Sequence, residues 1–210
     1  MARLTFYTNP MSRGRIVRWM LEEVGEPYET VVLSYGAEMK APGYLAVNPM
    51  GKVPALRHGD AVVTEAGAIC TYLAEAFPQA GLAPTPGDPG RAAFLRWMFF
   101  AAGPVEAAVT AAAFGWTAAG PQEEARLGYG SLERVADVLA GQLAEGPFLL
   151  GTSFSAVDVF LGSQIMWGRM FDTLPDRPPF AAYLDRLSAR PAALLANEMD
   201  DALMPEGQGA

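Results

Sequence analysis

The stretch from Asn48 to Tyr72 constrains the fold more than any other part of the chain. Residues 53–56 predict a short strand, His58-Gly59-Asp60 predicts a tight turn with glycine at its centre, and 61–64 predict the returning strand. Glu65 then leads directly into a helical pattern of apolar residues that ends before the next proline. We therefore expect a β-hairpin whose second strand feeds a helix through an acidic residue.

This arrangement suits the capture of a short peptide. A proline at a strand entrance is often cis, and a cis Pro54 would turn the N–H and C=O groups of Val53 outward for main-chain pairing. The first N–H groups of the following helix are available to a carboxylate, and Glu65 can hold an ammonium group. The stretch therefore indicates a peptide-binding site.

The residues before this stretch extend the pattern to β-α-β-β-α. Leu4–Tyr7 predicts a first buried strand, a helix follows that stops at Gly25, and 27–33 predict the second strand. Arg18 and Glu22 are spaced to form an ion pair on the outer face of that helix. This order of elements is that of a thioredoxin-like unit, which gives an α/β N-terminal domain.

A segment rich in glycine and proline, residues 79–90, divides the chain. Beyond it every pattern is helical, with Pro104 expected to kink or break one long helix, and Ser155 and Asp158 forming a capping box at the start of another. We therefore assign residues 1–78 to a thioredoxin-like domain, 79–90 to a linker and 91–210 to an all-helical domain.

Composition limits the possible partners. The chain of 210 residues has a formal net charge of −8, which argues against nucleic acid or an anionic membrane as a partner. We find no stretch approaching ~20 unbroken apolar residues, so we expect no membrane span. The single cysteine permits no intrachain disulfide and fits a reducing compartment. Because a strand is predicted directly after Arg3, we expect no signal peptide and a location in the cytoplasm.

The motif N-P-x-G-K-V-P-x-L, followed by the hairpin and by T-E-x-x-A-I-x-x-Y-L, resembles the glutathione-binding half of the cytosolic glutathione transferases of bacterial type. The resemblance extends over most of the chain. It implies an enzyme of detoxification that joins the thiolate of glutathione, its substrate, to a hydrophobic electrophile without a metal. It also implies a homodimer in which the helix at 91–100 faces its copy.

The resemblance also implies how glutathione is bound. Val53 would pair with the main chain of the cysteinyl unit, and Pro54 would hold the geometry of that pairing. Glu65 and Ala66 would bind the γ-glutamyl end, while Lys52 would either reach the glycyl carboxylate or remain a solvated charge. The family usually has Ser or Thr where this chain has Ala66, so one hydrogen bond worth ~1 kcal/mol is lost.

Three residues are candidates for activating the thiol, whose pKa of ~8.5 must be lowered. Aligned on the first helix, the chain resembles the tyrosine-type classes, with Tyr7 as the thiolate-binding residue and Arg13 as its assistant. Serine-type classes place a hydroxyl in the same loop, where Ser12 lies. Each has a structural alternative: Tyr7 as a core residue, Ser12 as a helix N-cap, and Arg13 as a solvated charge.

The second-substrate pocket is expected between this loop and the kinked helix. Its candidate lining residues, which could equally be core residues, are Met11, Phe100, Phe114 and Trp116. Two other residues are interpreted as structural: Cys70 as a small core residue and His58 as part of the turn, since one isolated histidine argues against a metal site. The alternatives to a transferase are a non-catalytic binding or interaction module and a glutathione-dependent peroxidase or isomerase.

Overall fold

The computed structural model describes residues 3–204, which form two compact units. The first unit comprises the described residues up to Leu82 together with those from Ala189 onward, and the second is Ala83–Ser188. The elements of the first unit up to Leu82 are β1 (Leu4–Thr8), α1 (Gly14–Val24), β2 (Tyr28–Val32), α2 (Pro42–Leu45), β3 (Ala55–His58), β4 (Ala61–Thr64) and α3 (Ala66–Ala76).

The four strands form one sheet in the order β2-β1-β3-β4. β1 is parallel to β2 and antiparallel to β3, and β3 is antiparallel to β4 through the predicted hairpin. In the register of the ladder, Ala55 lies opposite Tyr7 on one side and Thr64 on the other. The predicted thioredoxin-like order of elements is confirmed.

Alternation along β1 separates the two faces of the sheet. Phe6 is fully buried and lies beneath the guanidinium of Arg18 on α1, with 5.3 Å between the guanidinium carbon and the ring centroid. Tyr7 is half-buried and packs on the other face against a cluster that includes Met39 and Tyr44. The period of two in a strand therefore commits Phe6 to the main core and Tyr7 to a smaller second core.

The second unit is helical. Its elements are α4 (Arg91–Phe100), a π-helical turn (Ala101–Val105), α5 (Glu106–Ala113), α6 (Pro121–Glu124), α7 (Leu132–Ala144), α8 (Ala156–Met170) and α9 (Pro178–Ser188). The predicted capping box is confirmed at the start of α8, where the Ser155 N–H donates to Asp158 Oδ2 at 2.9 Å. Asp158 is fully buried and also accepts hydrogen bonds from the Leu149 N–H and the Tyr183 hydroxyl, which makes it the polar centre of this unit.

The chain accommodates Pro104 with a π-helical turn between α4 and α5. A proline lacks the N–H group that an α-helix would use, and the wider turn lets the helix continue through it. By length and composition alone, Arg91–Ala113 is apolar enough to cross a membrane, with a mean hydropathy of 1.2 and 33% of its apolar window buried. A single helix of this kind is weak evidence for a membrane span, because core helices of soluble proteins can have the same length and apolar composition.

The last helix, α10 (Pro191–Asp201), belongs to the first unit and packs on α1. Its Asp200 lies with Oδ1 2.7 Å from Arg18 Nε, and both side chains are only 1% exposed. The predicted Arg18–Glu22 pair on the outer face of α1 is therefore wrong, since Glu22 instead accepts a hydrogen bond from the Tyr28 hydroxyl. The domain boundaries at residues 78 and 90, which enclose the linker, remain a prediction from the sequence.

Candidate functional site

A short loop between β1 and α1 contains the first candidate residues. Its shape depends on Asn9, whose amide nitrogen donates to the Leu33 carbonyl at 2.8 Å and whose amide oxygen accepts from the Met11 N–H at 2.9 Å. The Ser12 hydroxyl donates to the Asn9 carbonyl at 2.7 Å and accepts from the Gly14 N–H at 2.9 Å. Ser12 is therefore held at the start of α1 by its own hydrogen bonds.

Ser12 lies one residue before the N-cap of α1, although its hydroxyl accepts a hydrogen bond from the N–H of the first helical residue. Arg13 occupies the N-cap position, and its side chain makes no capping hydrogen bond. Gly14 is the first helical residue, and a Cβ added there would lie 1.9 Å from Thr8 Oγ1. Glycine is required at this position because the helix starts against the end of β1.

Tyr7 has a different environment, on the face of the sheet occupied by the second core. Its ring centroid lies 5.7 Å from that of Tyr44, and its side chain also packs near Val53. Its hydroxyl forms no hydrogen bond with the residues that the structure describes. Tyr44, in contrast, donates to the Lys52 carbonyl at 2.6 Å, and burial raises the pKa of Tyr44 to about 12.

The turn before β3 presents the main chain of Val53. Asn48 is buried, and its amide nitrogen donates to the Lys52 carbonyl at 2.7 Å, which fixes the turn from inside. Val53–Pro54 is a cis peptide, as predicted, and the side chain of Lys52 is exposed. Within residues 3–204 the N–H and C=O groups of Val53 have no hydrogen-bond partner, so both are available to a ligand.

Glu65 has the most unusual backbone of the site. Its φ of 67° and ψ of 120° lie in a region that residues other than glycine seldom occupy, and it is the N-cap of α3 without a side-chain capping bond. A backbone conformation of this kind costs about 1–3 kcal/mol and is found most often at functional sites. The carboxylate is exposed, while Ala66 beside it is buried and begins the first turn of α3, whose N–H groups lack intrahelical partners.

The register of the sheet brings these parts to one end. Ala55 pairs with both Tyr7 and Thr64. The start of β3 at Pro54, the residue after β4, Glu65, and the loop after β1 therefore all lie at the same end of the sheet. Sequence reasoning missed Asn9 and the roles of Asn48 and Tyr44. Asn48 lies inside the recognised motif, and an asparagine directly before the turn at residues 49–51 is the sequence signal that could have identified it.

The four residues predicted for the second pocket do not form one group within either unit. Met11 is 54% exposed on the loop of the first unit, and Phe100 packs edge-on against Trp97 in the second, with ring centroids 5.4 Å apart. Phe114 and Trp116 are 68% and 64% exposed and stack on each other at 5.1 Å. Trp116 also lines a cavity of about 610 Å³ within the second unit.

Cys70 and His58 take no part in this site. Cys70 is fully buried on α3, and burial raises the pKa of its thiol. His58 Nδ1 lies 2.9 Å from the Tyr72 hydroxyl, next to the hairpin turn. Across residues 3–204, no group of three or more His, Cys, Asp or Glu side chains is placed to hold a metal ion.

Comparison with known proteins identifies the family. The profile of the glutathione S-transferase N-terminal domain matches residues 2–75, and that of the glutathione S-transferase C-terminal domain matches residues 115–186. A glutathione S-transferase-like protein of Aspergillus terreus is 32% identical over 192 residues, which cover 81% of this chain and 84% of that protein. The chain belongs to the glutathione S-transferase family.

Solved structures agree with this assignment. A glutathione transferase homologue from Sulfitobacter with bound glutathione superposes with a TM-score of 0.74 at 29% identity, covering 97% of this chain and 100% of that one. A glutathione transferase of Phanerochaete chrysosporium in complex with oxidized glutathione gives a TM-score of 0.78 at 27% identity, covering 97% and 98%. The N-terminal thioredoxin-like domain and the helical C-terminal domain are thus those of the family.

Proposed function

We propose that this protein is a glutathione transferase that joins the thiolate of glutathione to hydrophobic electrophiles. The observation that carries the proposal is Glu65, an exposed carboxylate in a strained backbone conformation at the start of α3. It lies at the same end of the sheet as Val53, whose main-chain N–H and C=O groups have no hydrogen-bond partner within residues 3–204. An ammonium group, a carboxylate and an extended main chain at fixed spacing are the groups that such a site binds, and glutathione carries all three.

Each part of the tripeptide has a proposed partner. The Val53 N–H and C=O pair with the cysteinyl main chain, and Pro54 shapes that turn. The first-turn N–H groups of α3, beginning at Ala66, hold the γ-glutamyl carboxylate while Glu65 holds the ammonium group. Lys52, whose side chain is exposed, is the proposed partner of the glycyl carboxylate.

Ser12 is the best candidate for the activating hydroxyl. It lies at the N-terminal end of α1, where the helix dipole favours a negative charge, and it can turn its proton from the Asn9 carbonyl toward a sulfur. Tyr7 instead has its ring packed in the second core against Tyr44. Arg13, exposed beside Ser12, supports the thiolate through its positive charge.

Three substitutions test this assignment. A hydroxyl-to-thiolate hydrogen bond is worth about 1.5–3 kcal/mol, so Ser12→Ala should lower kcat/KM by roughly 10- to 100-fold. Arg13→Ala should lower it by less, and Tyr7→Phe should change it by no more than about threefold, since packing is conserved. Full activity in all three variants would show that the thiol is activated elsewhere, and a loss confined to Tyr7→Phe would move the role to Tyr7.

A non-catalytic glutathione-binding module is the second candidate. Ala66 favours it, because a hydroxyl donor to the γ-glutamyl carboxylate is missing, and so does the Ser12 hydroxyl, which already donates to a carbonyl. Saturable glutathione binding without any thiolate signal or turnover on a panel of electrophiles would select this alternative.

The assembly and the second-substrate pocket are further parts of the proposal. Leu95 and Phe99 lie one helical turn apart on α4 and are 38% and 73% exposed, which supports a homodimer joined through this helix. The cytoplasm is the proposed location of this dimer. A monomeric mass at micromolar concentration would contradict the dimer. The electrophile is proposed to contact the apolar side chains named from the sequence, which are Met11, Phe100, Phe114 and Trp116.

A further inference from the structure

An arginine on α1 reaches back to the loop that carries Ser12. Arg15 Nε donates to the Pro10 carbonyl at 2.6 Å, and the Arg15 main-chain N–H donates to the Ser12 carbonyl at 3.2 Å. Pro10 is buried and the Arg15 side chain is half-buried. A hydrogen bond from a charged donor is stronger than one from a neutral donor, and it is strongest where water has little access. Arg15 therefore restrains the loop at Pro10, just before Ser12.

The same guanidinium group also contacts the last helix of the first unit. Arg15 Nη2 lies 2.7 Å from Asp201 Oδ1 on α10. A guanidinium is planar and its N–H groups point in fixed directions, so a partner that holds Nη2 also sets the direction of Nε. Asp201 therefore orients the N–H group that Arg15 donates to Pro10.

The neighbouring residue, Asp200, fixes where Asp201 lies. Asp200 forms the buried ion pair with Arg18, so α10 cannot slide along α1 without breaking this pair. Arg15 and Arg18 lie about one helical turn apart, on the same face of α1. The two successive carboxylates of α10 thus have different tasks. Asp200 holds the two helices together, and Asp201 extends this contact to the loop through Arg15.

We propose that Arg15 is a positioning residue for thiol activation: it holds the Pro10 carbonyl so that the Ser12 hydroxyl is kept in place for the sulfur of glutathione, and Asp201 orients it. The inference rests on the proposed function, in which Ser12 activates the thiol. It adds that a helix 186 residues further along the chain contributes to activation through Arg15 and not by contact with glutathione.

A direct effect of the Arg15 charge on the thiolate is the competing explanation, and the two roles differ in sign at Asp201. If the charge acted directly, Arg15→Ala would disfavour the thiolate and Asp201→Ala would favour it, because a negative charge is removed. If Arg15 acts by position, both substitutions loosen the loop and both disfavour the thiolate. Arg15→Lys keeps the charge but lacks the planar group that holds Pro10 and Asp201 together.

The first measurement needs no glutathione. It is amide hydrogen exchange of the full chain followed by NMR. The reporters are the N–H groups that are hydrogen-bonded to atoms of the loop itself, which are those of Met11, Ser12 and Gly14. Arg15→Ala should speed their exchange by about five- to tenfold. Asp201→Ala should speed it by about two- to threefold, because Arg15 can still donate to Pro10. The Ile69 N–H on α3 should be unaffected.

The second measurement is the ultraviolet absorbance of the thiolate at neutral pH with saturating glutathione, so that a change in affinity does not alter the result. Arg15→Ala should lower this signal by about three- to tenfold, and Asp201→Ala by about twofold in the same direction. Arg15→Lys should recover less than about half of the loss. The Asp201 and lysine variants test the proposal even if Arg15→Ala fails to fold.

Arg177→Ala is the matched control. Its side chain is 22% exposed, against 23% for Arg15, and it also pairs with carboxylates, those of Glu133 and Asp137. Because Arg177 belongs to the helical unit and not to the unit that contains the loop, its removal should leave loop exchange and the thiolate signal unchanged.

Four results would each overturn the proposal: unchanged loop exchange in Arg15→Ala, a stronger thiolate signal in Asp201→Ala, full recovery in Arg15→Lys, or equal effects of Arg177→Ala. A native protein that gives no thiolate signal would refute the proposed function and, with it, the role of Arg15 in activation. Loop exchange would still show whether Arg15 holds the loop. A native signal that all the Arg15 and Asp201 variants retain would refute this inference alone.

Discussion

The buried ion pair between α1 and α10 gives the sharpest prediction of stability. Asp200→Ala would leave the Arg18 guanidinium, 1% exposed, without its charged partner. Breaking a buried pair from one side typically costs 3–5 kcal/mol. Arg18 would keep weaker contacts with the Tyr28 hydroxyl at 3.2 Å and Thr30 Oγ1 at 3.4 Å, so we expect a loss at the lower end, about 3 kcal/mol.

The measurement is urea unfolding followed by circular dichroism, with the midpoint and slope compared between variants. Asp201→Ala is the matched control, because Asp201 is the next residue, pairs with Arg15 across α1 and α10, and is 65% exposed. An exposed pair of this kind contributes about 0–1 kcal/mol. The double variant Arg18→Met with Asp200→Leu should lose less than Asp200→Ala alone, since no unpaired charge remains.

The reasoning would be refuted if Asp200→Ala cost no more than Asp201→Ala. That result would mean that water reaches Arg18 once its partner is removed, and that the docking of α10 on α1 does not depend on the pair. A double variant less stable than Asp200→Ala would equally contradict the account, because it would show that the charges themselves stabilise the interface.

Three other predictions concern the first unit. Glu65→Gly should raise the free energy of unfolding by about 1 kcal/mol through relief of backbone strain while weakening glutathione binding, and a loss of both would contradict the strain argument. Cys70 should resist a thiol reagent until urea unfolds the chain. Because burial raises the pKa of the Cys70 thiol, the folded protein keeps the thiol proton above pH ~8.5, where the unfolded chain loses it. The free energy of unfolding relative to Cys70→Ala should therefore fall by up to about 1.4 kcal/mol per pH unit above pH ~8.5. A difference that stays constant with pH would contradict the burial of Cys70 as a neutral thiol. Gly14→Ala should cost about 2 kcal/mol in the same unfolding assay by forcing a side chain against Thr8, and a neutral result would show that α1 can shift.

The parts of the fold that the sequence predicted are governed by local rules. The hairpin is marked by Gly59 between two apolar runs, and the start of α8 by the spacing of Ser155 and Asp158. The helix after Glu65 begins where the pattern changes from a period of two to one of 3.6. Each signal lies within a few residues of the feature it specifies, so no long-range information is needed.

The features that were missed depend on distant contacts. Arg18 appears in the sequence as a surface charge four residues from Glu22, yet its true partner, Asp200, lies in the last helix. Asn9 shapes the loop through a carbonyl on the neighbouring strand. At Pro104 the local rule predicted a kink or break, and a π-helical turn does interrupt the α-helix there, but the sequence did not indicate the form of that interruption.

The most direct test of the central claim is a titration of the pure protein with glutathione at neutral pH, monitored by the ultraviolet absorbance of the thiolate. Because the free thiol has a pKa of ~8.5, little of it is ionised in solution at this pH, and a saturable thiolate signal would report binding and activation together. We predict such a signal in the native protein, and binding with a diminished signal in Ser12→Ala. The absence of any glutathione binding would contradict the proposed function.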